Sequence, residues 1–430
     1  RSCFRVAEVH TAGADVTFAL SYRRIVLLCL CAVYASLFRL SYEWVESPLY
    51  SYTGLAYSPP SSQFVVLGFA MALLPALFLP VAFGRPSHIV YWWLYLVLIV
   101  PSMFVPYHVL SQPSLNVAIL PCTLLALFVL LLLFDRLPDI ALPRIGIPLP
   151  RFYRGLILVG LVCVGWILTT QTAPTSGGIY DSHELRMSAR DVLPGGSWAA
   201  YVIATIQHCI GPILVAYGIA RRRPVLWCLG LAVAFCCFCI AGEKTLLALP
   251  CLMLAVGYTA DRFGRYFGIV LTCGVIALVA AAILEYRVYE TSTVSAYGSR
   301  RVLVVPAQLT TYYWEYFSSH PHNYFAGGSI GRMLGRPATL NASQTIGLNY
   351  FGTSEANANA NIWMSAFSEA GYAGMVVVTI CAGVLLKFFD GILRHSPIFG
   401  SMIVACMATA WAEGAFQTSL LSRGVAPTLV

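Results

Sequence analysis

"LNVAILPCTLLALFVLLLLF", residues 115–134, runs without a charged side chain until Asp135 and Arg136 end it. As a helix rising about 1.5 Å per residue, it spans the roughly 30 Å hydrocarbon core of a bilayer. Comparable runs recur along the chain. Of its 430 residues, 59% are hydrophobic and 10% charged, whereas a soluble domain carries about 25% charged residues. A soluble protein this apolar has too little polar surface to cover itself. A membrane β-barrel would show alternating segments of about 10 residues instead. The expected fold class is therefore an all-α polytopic membrane protein of about 11 to 12 transmembrane helices.

The spans are expected at roughly 25–40, 63–83, 88–110, 115–134, 155–170, 198–220, 225–241, 245–260, 266–284, 371–388 and 397–420. The positive-inside rule places the N-terminus inside, because most of the 26 lysines and arginines then fall in short inner turns. Examples are Arg85, Arg136, Arg221, Arg222, Arg223, Arg262, Lys387 and Arg394. The net charge of +8 is thus mostly topological, and no nucleic-acid partner is expected. The 14 cysteines sit almost all in apolar runs and read as small membrane hydrophobes.

The chain divides into N-terminal helices (1–170), a first outer loop (171–197), central helices (198–284), a large outer loop (285–370) and C-terminal helices (371–430), all in one membrane domain. The large loop is too long for a plain connection and too aromatic for disorder. Within it, "VPAQLTTYYWEYF", residues 305–317, is expected to form a helix along the membrane surface. Cations on the outer side gain nothing from topology and need another reason to be there.

In the first loop Arg186 and Arg190 share one helical face. They form either an ion-pair cluster with Asp181, Glu184 and Asp191 or a phosphate-binding face, since guanidinium groups chelate phosphate oxygens. In "AGEKTLLALP", Lys244 stands at a helix start, where it either pairs with Glu243 or joins backbone amides in an anion site. The large loop supplies Arg287, Arg300, Arg301, Arg332 and Arg336. It also holds His320, His322 and Glu315, any of which can take a proton from a hydroxyl. Gln207, His208 and Glu413 lie within spans and are either functional or interhelical hydrogen-bonding groups. The outer carboxylates are scattered, so no metal site is expected. No cofactor is indicated.

Three segments carry a family resemblance: "SRRVLVVPAQLTTYYWEYFSSHP" (299–321), "QTIGLNYFG" (344–352) and "EANANANIWMSAFSEAGYAGMVVV" (355–378). Their order resembles that of the Wzy-type repeat-unit polymerases of O-antigen and exopolysaccharide synthesis. The similarity spans roughly residues 180–395, with Lys244 where the family often has arginine and Ser365 where it often has aspartate.

The resemblance implies a GT-C-like fold in the bacterial inner membrane, with its site facing the periplasm. It implies a metal-independent glycosyltransferase that moves a growing glycan from undecaprenyl pyrophosphate to the non-reducing end of a new lipid-linked repeat unit. The expected partners are lipid-linked donor and acceptor, the bilayer and a chain-length-regulating co-polymerase. On this reading Arg186, Arg190, Lys244, Arg287, Arg300, Arg301 and Arg332 hold pyrophosphate. His322, His320 or Glu315 is the base, Tyr312, Tyr313, Trp314 and Tyr316 stack on sugar rings or line the membrane interface, and Asn357, Asn359 and Asn361 read sugar hydroxyls or cap the next helix. The alternatives are an O-antigen ligase acting on lipid A–core and a polysaccharide flippase.

Overall fold

The computed structural model describes residues 22–110, 115–140, 198–241, 245–327, 339–356 and 358–421, with isolated positions between 154 and 166 and at 331 and 335. Among the described residues the fold is helical throughout. Six helices are long and apolar enough to cross a membrane: α1 (Tyr22–Thr53), α3 (Ser87–Val109), α4 (Asn116–Arg136), α5 (Val202–Ala220), α8 (Gly264–Tyr289) and α11 (Ile362–Leu393). Shorter apolar helices join them: α2 (Ser62–Leu77), α6 (Pro224–Ala241), α7 (Thr245–Arg262) and α12 (Pro397–Ala412). All but one of the expected spans fall on these helices. The exception, 155–170, lies largely outside the described residues.

The axis of the fold is α3. Its sequence "HIVYWWLYLVLIV" (88–100) is apolar or aromatic on every side, and the helix is buried almost entirely, as an all-round apolar helix must be. Its bends are satisfied locally. Within the π turn Tyr95–Ile99 the Val100 N–H reaches back to the Tyr95 carbonyl. The next carbonyl, Leu96, would look to residue 101, a proline without an N–H. The Tyr34 hydroxyl of α1 donates to it instead.

One end of the bundle, here the latch end, is closed by charge. Asp390 at the end of α11 accepts the Ser87 N–H (2.9 Å) and hydroxyl (2.7 Å) at the start of α3. Buried Lys387 bridges Asp139 (3.1 Å) and Asp390 (3.2 Å). Arg85 reaches Asp139 at 3.5 Å, and His88 meets Asp135 at 3.3 Å. These contacts tie together the ends of α3, α4 and α11.

The opposite, cap end carries the residues between α8 and α11. A ten-residue π segment, Ser295–Val304, runs directly into α9 (Val305–Ser319). Two features depart from the sequence expectation. First, α9 does not lie on a membrane surface. Residues Pro306 through Tyr313 are all buried, and the helix packs on the end of α3 and on α11. Its polar side chains are satisfied inside: Gln308 donates to the Thr53 carbonyl (2.8 Å), and the Asn361 amide donates to Thr310 (2.7 Å). Second, much of the large loop is helix. It includes α10 (Ala342–Phe351), started by a capping box of Asn341 and Gln344. The last long helix, α11, begins at Ile362 under an Asn361 cap and is broken at Ala370–Gly371.

Candidate functional site

Two groups of polar residues lie at the ends of the continuous Ser295–Ser319 helix. At its start, Glu46 from the π turn Tyr42–Glu46 of α1 is fully buried. It accepts hydroxyl bonds from Ser295 (2.9 Å) and Ser299 (2.7 Å). A carboxylate removed from water needs such donors and a counter-charge. Arg300 is the neighbouring cation. Its guanidinium sits 4.2 Å from the centre of the Tyr50 ring, and its buried Nε has no hydrogen-bond partner. The Tyr50 hydroxyl meets Ser292 at 3.2 Å. Arg301 is exposed. Arg287, also exposed, lies 4.7 Å over the Trp44 ring. Two π segments meet here, and π turns recur at functional sites because they aim side chains that a regular helix would point elsewhere.

The other end is built around the break in α11. A regular helix would engage the carbonyls of Ser368 and Glu369, but Ala370 and Gly371 leave helical geometry. Those carbonyls accept the N–H groups of Asn323 (2.8 Å) and Tyr324 (3.2 Å). The Glu369 carboxylate takes the Phe325 N–H. The chain turns sharply to reach them, placing Tyr324 (φ 47°) and Phe325 (φ 66°) in the left-handed region. Two adjacent side-chain-bearing residues there cost on the order of 1–3 kcal/mol each, a strain that clusters at active sites and ligand clamps.

His322 stands in this turn, half-buried, with its Nδ1 unpartnered and its ring edge-on to Phe367 (5.4 Å). Its Nε2 faces Gly371, 3.0 Å from where a β-carbon would be. The buried Asn323 side-chain nitrogen also lacks a partner. Nearby, His320 lies flat on Tyr316 (4.1 Å, 3°), and its Nδ1 contacts the Tyr316 carbonyl at 2.9 Å. Tyr312 stacks on Tyr350 (4.1 Å). Tyr350 donates to Glu315 at 2.8 Å. Burial, then the Glu315 carboxylate, pushes the Tyr350 phenol well above its ordinary range, so it remains a donor. Glu315 is therefore already engaged, and His320 is stacked and bonded. His322 is the one of the three candidate bases with an unpartnered buried ring nitrogen.

The expected site residues separate accordingly. Arg287, Arg300 and Arg301 gather at the π end, and Glu315, His320 and His322 at the far end of α9. Arg300 and His320 are twenty positions apart on continuous helix, which at about 1.5 Å per residue is roughly 25–30 Å. They are too far apart to act on one bond. Tyr313 is corrected: it is buried and its hydroxyl bonds the Ala358 carbonyl (3.0 Å), leaving no face for a sugar. Trp314 is half-buried, with its N–H 3.4 Å from the Tyr372 hydroxyl. Asn359 is exposed, whereas Asn361 is buried as a cap. Arg186, Arg190, Lys244, Arg332 and Asn357 lie outside the described residues. The in-span groups His208 and Glu413 line one small cavity with Thr245 and Thr409.

Sequence reasoning missed Glu46, Ser295, Ser299, Tyr350 and Glu369. The available signals were a carboxylate at the end of a span in "SYEWVES" and serines spaced i, i+4 just before the arginine pair. No protein-family model, no curated protein and no solved structure matches the chain.

Proposed function

We propose that the chain is a membrane glycosyltransferase that polymerises oligosaccharide repeat units carried on undecaprenyl pyrophosphate. The observation that carries this reading is Arg300, set over the Tyr50 ring near the buried Glu46–Ser295–Ser299 group and followed by exposed Arg301. Two successive arginines suit a diphosphate, because each planar guanidinium binds phosphate through two oxygens. By the positive-inside rule this end is the outer, periplasmic one, where such cations have no topological role. Ser299, Arg300 and Arg301 lie in the first of the segments that resemble the Wzy-type polymerases.

In the reaction, a hydroxyl oxygen of the acceptor sugar attacks the anomeric carbon of the donor. The bond from that carbon to the diphosphate oxygen breaks, and its electron pair leaves with the diphosphate. The hydroxyl proton passes to His322. Exposed Asn359 and the open edge of Trp314 meet the glycan.

Reconstituted protein given lipid-linked repeat units should produce a ladder of longer glycans. Transfer of preassembled glycan to lipid A–core without a ladder would instead identify a ligase. Movement of labelled substrate across the bilayer without any transfer would end both transferase readings.

A further inference from the structure

Resting on the polymerase reading, we infer that the Ser295–Ser319 helix is a ruler: its arginine end holds the acceptor's lipid diphosphate, and its histidine end holds the acceptor's reacting hydroxyl. A polymerase acceptor has two such features. It is a diphosphate at its reducing end and a nucleophilic hydroxyl on its non-reducing sugar, separated by the length of one repeat unit. The donor has its diphosphate at the bond that breaks, with no such separation.

The protein shows the matching pair. One end has Arg300 over the Tyr50 ring near the buried Glu46 carboxylate, exposed Arg301 next to it in sequence and Arg287 on Trp44. The other has an unpartnered histidine nitrogen in a strained turn at a broken helix. The helix between them is buried from Pro306 to Tyr313 and hydrogen-bonded to α1 and to the α11 cap. Its ends therefore cannot approach each other, and the separation stays at roughly 25–30 Å. An acceptor that fills the arginine end reaches His322 only if its glycan is several sugars long. The ruler selects repeat-unit size rather than sugar identity.

The step itself is the one already given. The acceptor oxygen bonds the donor's anomeric carbon, the diphosphate leaves with the bonding pair, and the proton goes to His322. The ruler decides which hydroxyl arrives there.

The test uses reconstituted full-length protein, a fixed lipid-linked donor and two series of acceptors. The first series is undecaprenyl diphosphate carrying one sugar, a partial unit or a complete repeat unit. The complete unit should be extended at least on the order of a hundredfold faster than the one-sugar lipid, the size of effect a misplaced nucleophile produces. The one-sugar lipid should still compete for binding. The second series is the free non-reducing fragment of the unit, without lipid or diphosphate. Arg301→Ala should raise the KM for the lipid-linked acceptor relative to the free fragment on the order of tenfold, with Arg301→Lys in between. His322→Ala should lower kcat for both acceptors. Equal extension of the one-sugar lipid and the complete unit would overturn the ruler while leaving the polymerase standing. So would an equal effect of Arg301→Ala on both acceptors, which would place the donor's diphosphate at the arginine end. Extension of no acceptor at all would overturn the polymerase reading itself.

Discussion

The two ends of the bundle handle buried charge in opposite ways. At the latch end Lys387 lies between two carboxylates, and Asp390 receives two further bonds from Ser87. Helices α3, α4 and α11 are thereby locked with their charges matched. At the cap end charge is left over. Glu46 is spent on two serines, Arg300 keeps an unpartnered Nε, Arg301 faces outward and His322 keeps an unpartnered Nδ1. The two adjacent strained residues, Tyr324 and Phe325, and Gly371 lie at the cap end, whereas the α5–α6 turn has a single left-handed residue, Arg222. The latch end holds the bundle together, and the cap end is prepared for a ligand.

The sharpest way to break this contrast is at the latch. Lys387→Met leaves Asp390 buried beside Ser87 without its cation, which should cost about 3–5 kcal/mol. Thermal unfolding in detergent would show it, and an unchanged transition would mean that the latch contributes nothing. At the cap end, Gly371→Ala forces a side chain into a backbone conformation with φ 60° and ψ −153° and pushes against His322. The expected cost is about 1–3 kcal/mol, with loss of glycan elongation. Retained elongation would dissociate His322 from the chemistry.

Glu46→Ala strands two serine hydroxyls and removes the counter-charge of Arg300, a loss of about 1–3 kcal/mol. Glu46→Gln should fold nearly as well, because an amide can still accept and donate at the serines, yet elongate poorly because the negative charge near Arg300 is gone. Equal activity of Glu46→Gln and the native protein would reduce Glu46 to a packing group. The smallest stability effect belongs to Arg301→Ala. The side chain is exposed, so unfolding should shift by less than about 0.5 kcal/mol while use of the lipid-linked acceptor falls. A protein that unfolds early as well would show that Arg301 supports the fold.

Much of the architecture was legible because a bilayer imposes a strict length and polarity on whatever crosses it. The uncharged run 115–134 became α4, and the all-round apolar stretch after Ser87 became the buried axis. The Asn361 cap could be read as one of two possibilities, and burial decided between them. The α9 helix was legible as a helix but not in its position. Its tyrosines and Trp314 suit an interface as well as a core, and composition does not separate the two. The candidate site was legible in its residue types and not in its grouping. The helix expected over 305–317 already separates the arginine pair from the histidines in sequence, and what was not legible is what each of its ends packs against.

The sequence alone determined that the chain is a bundle of apolar helices, where most of them run, and that arginines and histidines collect in the segment before α11. Those features are local or compositional, so each stretch of chain carries its own signal. Only the tertiary structure decided that Glu46 meets Ser295 and Ser299, some 249 and 253 positions away. It also decided that Gly371 breaks α11 beneath His322, and that α9 is buried against α3 and α11. These are pairings between distant segments. They arise from how α1, α9 and α11 pack, and no periodicity within any one of them encodes it.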